Sequence, residues 1–209
     1  MQYVFIHGLG QKPSSWDKVI AKMPESLSAV CPDLFSLIGE NKITYPNLYR
    51  AFSDYCDTLP EPLNLCGLSL GGVLALNYAI DNPARIESLT LIAAQYKIPK
   101  TLMKFQNMIF KIMPRSVFQK MGIQKNDCIA LTKSMTNLDF SKDLKNIVCN
   151  TLVVCGDKDS ANKNAAKRLT ENIPKAKFQL LKNTGHEANA DNIEGLVAVL
   201  TEFLKRKRI

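Results

Sequence analysis

Apolar residues fall along this chain in two patterns that take turns. Short, largely apolar runs predict strands: buried ones at Gln2 to Ile6 (QYVFI), Leu63 to Cys66 and Thr151 to Cys155, and others at Ser28 to Cys31, Ile86 to Ala94 (IESLTLIAA) and Lys177 to Leu181 (KFQLL). Between them, apolar positions recur at i, i+3, i+4 and i+7. Trp16, Val19, Ile20 and Met23 predict one helix, with Ser14 or Ser15 as its cap. Pro32-Asp33 opens a loop. Pro46 opens a second helix to about Leu59, with Leu48, Phe52 and Tyr55 on one face and Pro60 and Pro62 beyond its end. Further helices are predicted from Gly72 to about Ile80, closed by Asn82-Pro83, from about Ala161 to Glu171, and from Ile193 to Leu204. Strands that are apolar on both faces and alternate with helices imply an α/β class: a mostly parallel sheet with helices on both faces.

The alternation stops once. From Tyr96 to about Leu138 the periodicity is helical, broken at Pro99 and Pro114, with no strand. Leu102, Phe105, Ile109 and Ile112 mark one face of the first helix there. Met103, Met108, Met113, Met121 and Met135 make the stretch methionine-rich, which reads as packing rather than a binding surface. The segment 95–146 is therefore expected to be a short helical cap inserted into a single core formed by 1–94 and 147–209. Charge sharpens this division. Ten basic residues lie between Gln95 and Asn146, against Asp127, Asp139 and Asp143, so the segment carries +7 of the chain's net +8. The basic tail Lys205-Arg206-Lys207-Arg208 reads as a solvated end.

Composition narrows the class. With 209 residues, 46% hydrophobic and 22% charged, the chain is that of an ordinary globular protein with one main domain. No apolar run approaches the ~18 residues of a transmembrane helix. Met1 to Gly10 lacks a basic n-region and a cleavage site, so no signal peptide is expected. Six scattered cysteines without a C-x-x-C pair imply neither a zinc nor a thioredoxin site, and a reducing cytoplasm is the simplest location. Cys66 and Cys155 fall in predicted strands as small hydrophobes. The basic segment carries no recognised nucleic-acid motif. Nothing in the sequence bears on oligomeric state.

The candidate chemistry sits at strand ends. Gly67-Leu68-Ser69-Leu70-Gly71 is a G-x-S-x-G pattern between a predicted strand and a predicted helix. A serine in so tight a turn needs small neighbours, and Gly67 and Gly71 supply them. The adjoining helix N-terminus offers N–H groups and a positive dipole to a developing oxyanion. A serine hydroxyl needs a base, and the chain has only His7 and His186. His7, in His7-Gly8-Leu9-Gly10 after the first strand, reads as a structural residue bonding its loop. His186 follows the last strand. An acidic loop, Gly156-Asp157-Lys158-Asp159, precedes it.

These pieces together resemble the α/β-hydrolase superfamily, and specifically its small, cap-bearing, serine esterase-like members. The matching residues are His7-Gly8-Leu9-Gly10, Gly67 to Gly72, Gly156 to Asp159 and Gly185-His186, in the family's order across nearly the whole chain. The resemblance implies Ser69 as nucleophile, His186 as base and the backbone N–H groups of Leu9 and Leu70 as oxyanion donors. His7, Gly8, Gly67 and Gly71 support those motifs. It implies Asp159 as the acid, because the family's G-x-x-D places the carboxylate third after glycine; Asp157 is the alternative, with a turn at the strand end as its plainer role. It also implies that the family's first two strands are missing, leaving six. No metal or organic cofactor is implied.

The expected function is hydrolysis of a small carboxylic ester or thioester through an acyl-enzyme intermediate. The clustered lysines raise the expectation that the acyl substrate is anionic or delivered on an acidic carrier. The alternatives are a C–C bond hydrolase or lyase using the same three side chains, and a non-catalytic binding protein on the same fold.

Overall fold

The computed structural model describes residues 2–100, 108–120 and 122–205. Its sheet has six strands: β1 Gln2–Ile6, β2 Ser28–Val30, β3 Leu63–Leu68, β4 Ile86–Ile92, β5 Asn150–Gly156 and β6 Ala176–Leu181. All pairings are parallel, in the order β2-β1-β3-β4-β5-β6. The chain thus lays β2 on one side of β1 and then returns to lay β3 on the other. At this reversal the loops leaving β1 and β3 run to opposite faces, and a crevice opens at the carboxyl edge of the sheet.

Period-two alternation along each strand divides the core. Val4, Ile6, Leu65, Leu89, Leu91, Val153 and Cys155 face one layer; Phe5, Cys66, Leu68, Ile92, Leu152 and Val154 face the other. The first layer is covered by α2 (Leu34–Leu37), α3 (Tyr45–Asp57), α4 (Leu70–Asp81) and α7 (Ser160–Asn172). The second is covered by a 3-10 turn at Pro13–Trp16, α1 (Asp17–Ile20), α8 (Ala188–Asp191) and α9 (Ile193–Lys205). Trp16 is fully buried there against Phe5.

Several boundaries differ from expectation, each for a local reason. Neither Ser14 nor Ser15 caps the first helix. Ser15 Oγ donates instead to Gln11 Oε1, and the segment starts as a 3-10 turn behind Lys12. The stretch after Pro32 is not all loop: the Asp33 carboxylate accepts from the N–H groups of Phe35 and Ser36 and caps α2. β3 runs on through Gly67 and Leu68, and α4 starts at Leu70 rather than Gly72. β4 stops at Ile92 because Ala93 turns to φ 49°. The short α8, past His186, had no apolar repeat long enough to announce it.

Between β4 and β5, residues 108–112 are helical, followed by α5 (Arg115–Lys120) and α6 (Lys125–Ser134). An antiparallel bridge between Lys97 and Asp139 closes the base of this excursion, reinforced by their ion pair. Phe110, Phe118, Ile123 and Cys128 form a small separate core, with Phe110 edge-on to Phe118. Leu9 and Phe35 of the main body pack against it. The expected apolar face is corrected here: Ile109 and Ile112 point outward, 37% and 81% exposed, because the aromatic Phe110 takes the inward position. Leu102, Met103, Phe105 and Met121, named for that face and the methionine stripe, lie outside the described residues, as does Arg206 to Ile209. Met108 is exposed, Met113 packs on the small core and Met135 is buried. Among the described residues no helix is long and apolar enough to cross a membrane.

Candidate functional site

Ser69 occupies the turn from β3 to α4 with φ 54° and ψ −113°. That is outside the ordinary left-handed basin and close to glycine-only backbone. Two bonds hold it there: its N–H donates to Ile92 O (2.9 Å), and its carbonyl accepts from Val73 N–H (3.0 Å). Its position corresponds to a helix N-cap, yet its side chain caps nothing. The hydroxyl is left to point away from the helix. Gly67 and Gly71 are needed because a Cβ on Gly67 would lie 2.3 Å from Gly71 O, and one on Gly71 would lie 2.2 Å from Ile6 O. The turn can be this tight only if both positions lack side chains.

The hydroxyl meets His186. Ser69 Oγ and His186 Nε2 are 3.0 Å apart, and His186 Nδ1 lies 2.9 Å from Asp159 Oδ2. The only consistent assignment has Nδ1–H donating to the carboxylate and Nε2 accepting from the hydroxyl. The Asp159 side chain is 5% exposed, whereas that of His186 is 45% exposed at the open edge. Burial raises the Asp159 pKa, but hydrogen bonds from His186 and Asn162 outweigh it and hold the carboxyl below its ordinary value. The hydrogen bond to Asp159 raises the His186 pKa; burial opposes it, and the charges of Asp159, Glu187 and Asp191 add to the rise. The two shifts share one cause: each group favours the charged form of the other.

Asp157 lies elsewhere. Its carboxylate accepts from the backbone N–H groups of Asn183 and Thr184, which lower its pKa and tie β5 to the loop carrying His186. The structure thus brings Asp159, not Asp157, to the imidazole.

His7 is fully buried and engaged at both nitrogens. Nδ1–H donates to Gly8 O (2.9 Å), and Nε2 accepts from Leu34 N–H (3.3 Å). Burial lowers its pKa against the opposing effects of Gly8 and Asp33, so it stays neutral. It shapes the loop. That loop is a β-turn closed by Gln11 N–H to Gly8 O, with Gly10 at φ 86°. Leu9 and Gly10 sit at its corners, where the turn's own bond uses neither N–H. Leu70, as the first residue of α4, has no intrahelical acceptor for its N–H.

Sequence reading passed over several supports. Gln11 and Asn189 exchange amide hydrogen bonds and tie the β1 loop to α8. Asp191 accepts from Gly185 N–H. Asn162 Nδ2 sits 2.8 Å from both Asp159 oxygens. The available signal for Asn162 was its polarity on the stripe it shares with Ala165, Ala166 and Leu169. Among the described residues no group of acidic, histidine and cysteine side chains could hold a metal ion.

The chain is similar to pimeloyl-[acyl-carrier protein] methyl ester esterases. It is 27% identical to that of Pseudoalteromonas atlantica over 135 residues, 58% of this chain and about half (52%) of the relative. It is 22% identical to that of Legionella pneumophila strain Corby over 231 residues, 98% and 95% of the two chains. Among solved structures, MenH from S. aureus superposes with a TM-score of 0.80 at 18% identity, covering 100% of this chain and 95% of the other. Such a likeness speaks for the fold alone. Residues 3–199, which hold the whole sheet but for Gln2 and every side chain of the site just described, match the model of the alpha/beta hydrolase family, and the chain belongs to that family.

Proposed function

We propose that this protein hydrolyses a small carboxylic ester or thioester with Ser69 as nucleophile, His186 as base and Asp159 as the acid that orients it. One observation carries the reading: the unbroken hydrogen-bonded line from Ser69 Oγ through both nitrogens of His186 to Asp159, starting at a serine in strained backbone. The hydroxyl attacks the acyl carbon as its proton passes to Nε2. The carbonyl oxygen gains the electron pair, and the N–H groups of Leu9 and Leu70 receive it. The intermediate collapses as His186 returns the proton to the leaving alcohol or thiol. Water then repeats the sequence on the acyl-serine and releases the acid. Asp159 holds Nδ1–H in place throughout.

Segment 95–146 acts in this reading as a basic cap over the site, which favours an anionic or carrier-borne acyl group. Two facts support this: the segment's +7 charge, and relatives named for an ester carried on an acyl-carrier protein. The test of the nucleophile is labelling by a fluorophosphonate probe, which should stop in Ser69→Ala; undiminished labelling of that variant would refute the assignment. The test of the charge is ionic strength. For an anionic acyl substrate kcat/KM should fall as salt rises over the range in which the Debye length drops from about 30 to about 8 Å. A flat response rules the steering out.

A further inference from the structure

Asn162 does more than fill the first turn of α7. It is buried, yet it stands on the stripe where Ala165, Ala166 and Leu169 meet the core. Its Nδ2 lies astride the Asp159 carboxylate, 2.8 Å from each oxygen, and 3.2 Å from His186 Nδ1. Since Nδ1 already donates to Asp159, this last approach places two donors side by side on one acceptor. The amide can face only one way: its oxygen turned toward the carboxylate would set acceptor against acceptor. That orientation is held from behind. Gln95 Nε2 donates to Asn162 Oδ1 at 2.7 Å and reaches Ala161 O at 3.4 Å. Gln95 is the residue at which the chain leaves the sheet for segment 95–146, beside a groove of about 520 Å³ at the base of that segment.

We propose that Asn162 is a positioning residue for the reaction, holding the Asp159 carboxylate in the plane in which it meets His186, and that Gln95 sets the Asn162 amide. The proposal rests on the assignment of Asp159 and His186 given above. Two donors share the carboxylate, so its negative charge is divided between His186 and Asn162. Removing Asn162 concentrates that charge on the imidazole and frees the carboxylate to rotate. The first effect raises the pH at which His186 loses its proton, with Asp159, Glu187 and Asp191 as the acidic groups around it. The second misdirects the base.

The decisive variant is Asn162→Leu. Leucine keeps the branching of asparagine at Cγ with bulkier ends, suits the stripe and is the better helix former, so a merely structural asparagine would be replaced with kcat per reactive site little changed. Gln95→Leu is the companion, leaving Asn162 in place with its oxygen unpartnered. Turnover of p-nitrophenyl acetate is measured per fluorophosphonate-reactive site, so that misfolded protein is not counted. For Asn162→Leu, kcat should fall by roughly tenfold or more with KM within about twofold, and the acid limb of kcat/KM should move to higher pH. Gln95→Leu should change both in the same direction and by less. If kcat per reactive site stays within about twofold of the parent, or the limb does not move, the proposal is overturned. Failure of the underlying assignment looks different: the parent protein itself would then not be labelled at Ser69.

Discussion

Replacing Ser69 by glycine should abolish activity and yet stabilise the protein relative to replacing it by alanine. Both variants lose the hydroxyl and its bond to His186, so that loss cancels in the comparison. What remains is the backbone. At φ 54° and ψ −113° an alanine keeps the Cβ that crowds this conformation, whereas glycine has none. Holding a non-glycine residue there costs on the order of 1–3 kcal/mol. Glycine gives back about 0.5–1 kcal/mol through the greater freedom of its unfolded chain. At the middle of both ranges the difference is a net gain of about 1 kcal/mol for Ser69→Gly over Ser69→Ala. For a domain of this length that is a rise in Tm of about 2–4 °C. Thermal and urea unfolding followed by far-UV circular dichroism measures it, with the urea slope checked for constancy. An alanine variant as stable as the glycine variant, or more so, would show that the turn is relaxed. The hydrogen bonds from Ser69 N–H to Ile92 and from Val73 N–H to Ser69 O would then fit the residue rather than force it.

The two loop carboxylates should separate cleanly. Asp159→Asn, which leaves a group that cannot fix the reactive tautomer of His186, is expected to lower kcat by on the order of 10³–10⁴ with little change in KM. Asp157→Asn loosens only the turn to Thr184 and should leave kcat within about threefold; equal losses in steady-state assays would mean the roles are misassigned. Because the partner of His186 raises its pKa and the base must be neutral to act, kcat/KM should drop as pH falls through a value above the ordinary ~6.5 of histidine. An acid limb below that value in a pH-rate profile would contradict the ion-pair geometry. The matching stability change has a definite sign: the bond to His186 helps fold the protein where the imidazole is charged, and that help is lost as pH rises through the raised pKa. Gly71→Ala would place a Cβ 2.2 Å from the Ile6 carbonyl oxygen, a contact between rigid backbones. It should cost at least about 3 kcal/mol, the upper end of overpacking penalties, read as lost soluble yield or Tm; a variant of parental Tm would mean that β1 and α4 can move apart.

The inner strands β3, β4 and β5 were legible because each buries both faces, whereas the edge strands β2 and β6 stay partly exposed, with Phe178 and Leu180 of β6 at 36% and 40%. Runs such as Leu63 to Cys66 and Thr151 to Cys155 are apolar but for Asn64 and Thr151, and their alternation with helices already implies parallel pairing. Ser69, His186 and the carboxylates 157 and 159 were legible as candidates because a tight serine turn needs Gly67 and Gly71, and a chain with two histidines leaves little choice of base. Elements shorter than one hydrophobic repeat were not legible. α2 depends on a single cap at Asp33, and α8 spans four residues.

Periodicity reports that a side chain is buried but not what it is buried against. Ile109 and Ile112 fitted an apolar face, and only packing against Phe118 gave the inward place to Phe110. Asn162 shares a helix stripe with Ala165, Ala166 and Leu169, and only the fold set it against Asp159. The choice between the two loop aspartates turned on what stood opposite each one, backbone N–H groups for Asp157 and the His186 imidazole for Asp159. By itself the sequence determined the class of fold, the order of its elements and a handful of candidate side chains, because these follow from local patterns of burial and backbone freedom. The tertiary structure alone decided which of those side chains touch, since Ser69 and His186 are 117 positions apart and Asp159 and His186 are 27 apart, and a hydrogen bond depends on separation in space, which only the closing of the sheet supplies.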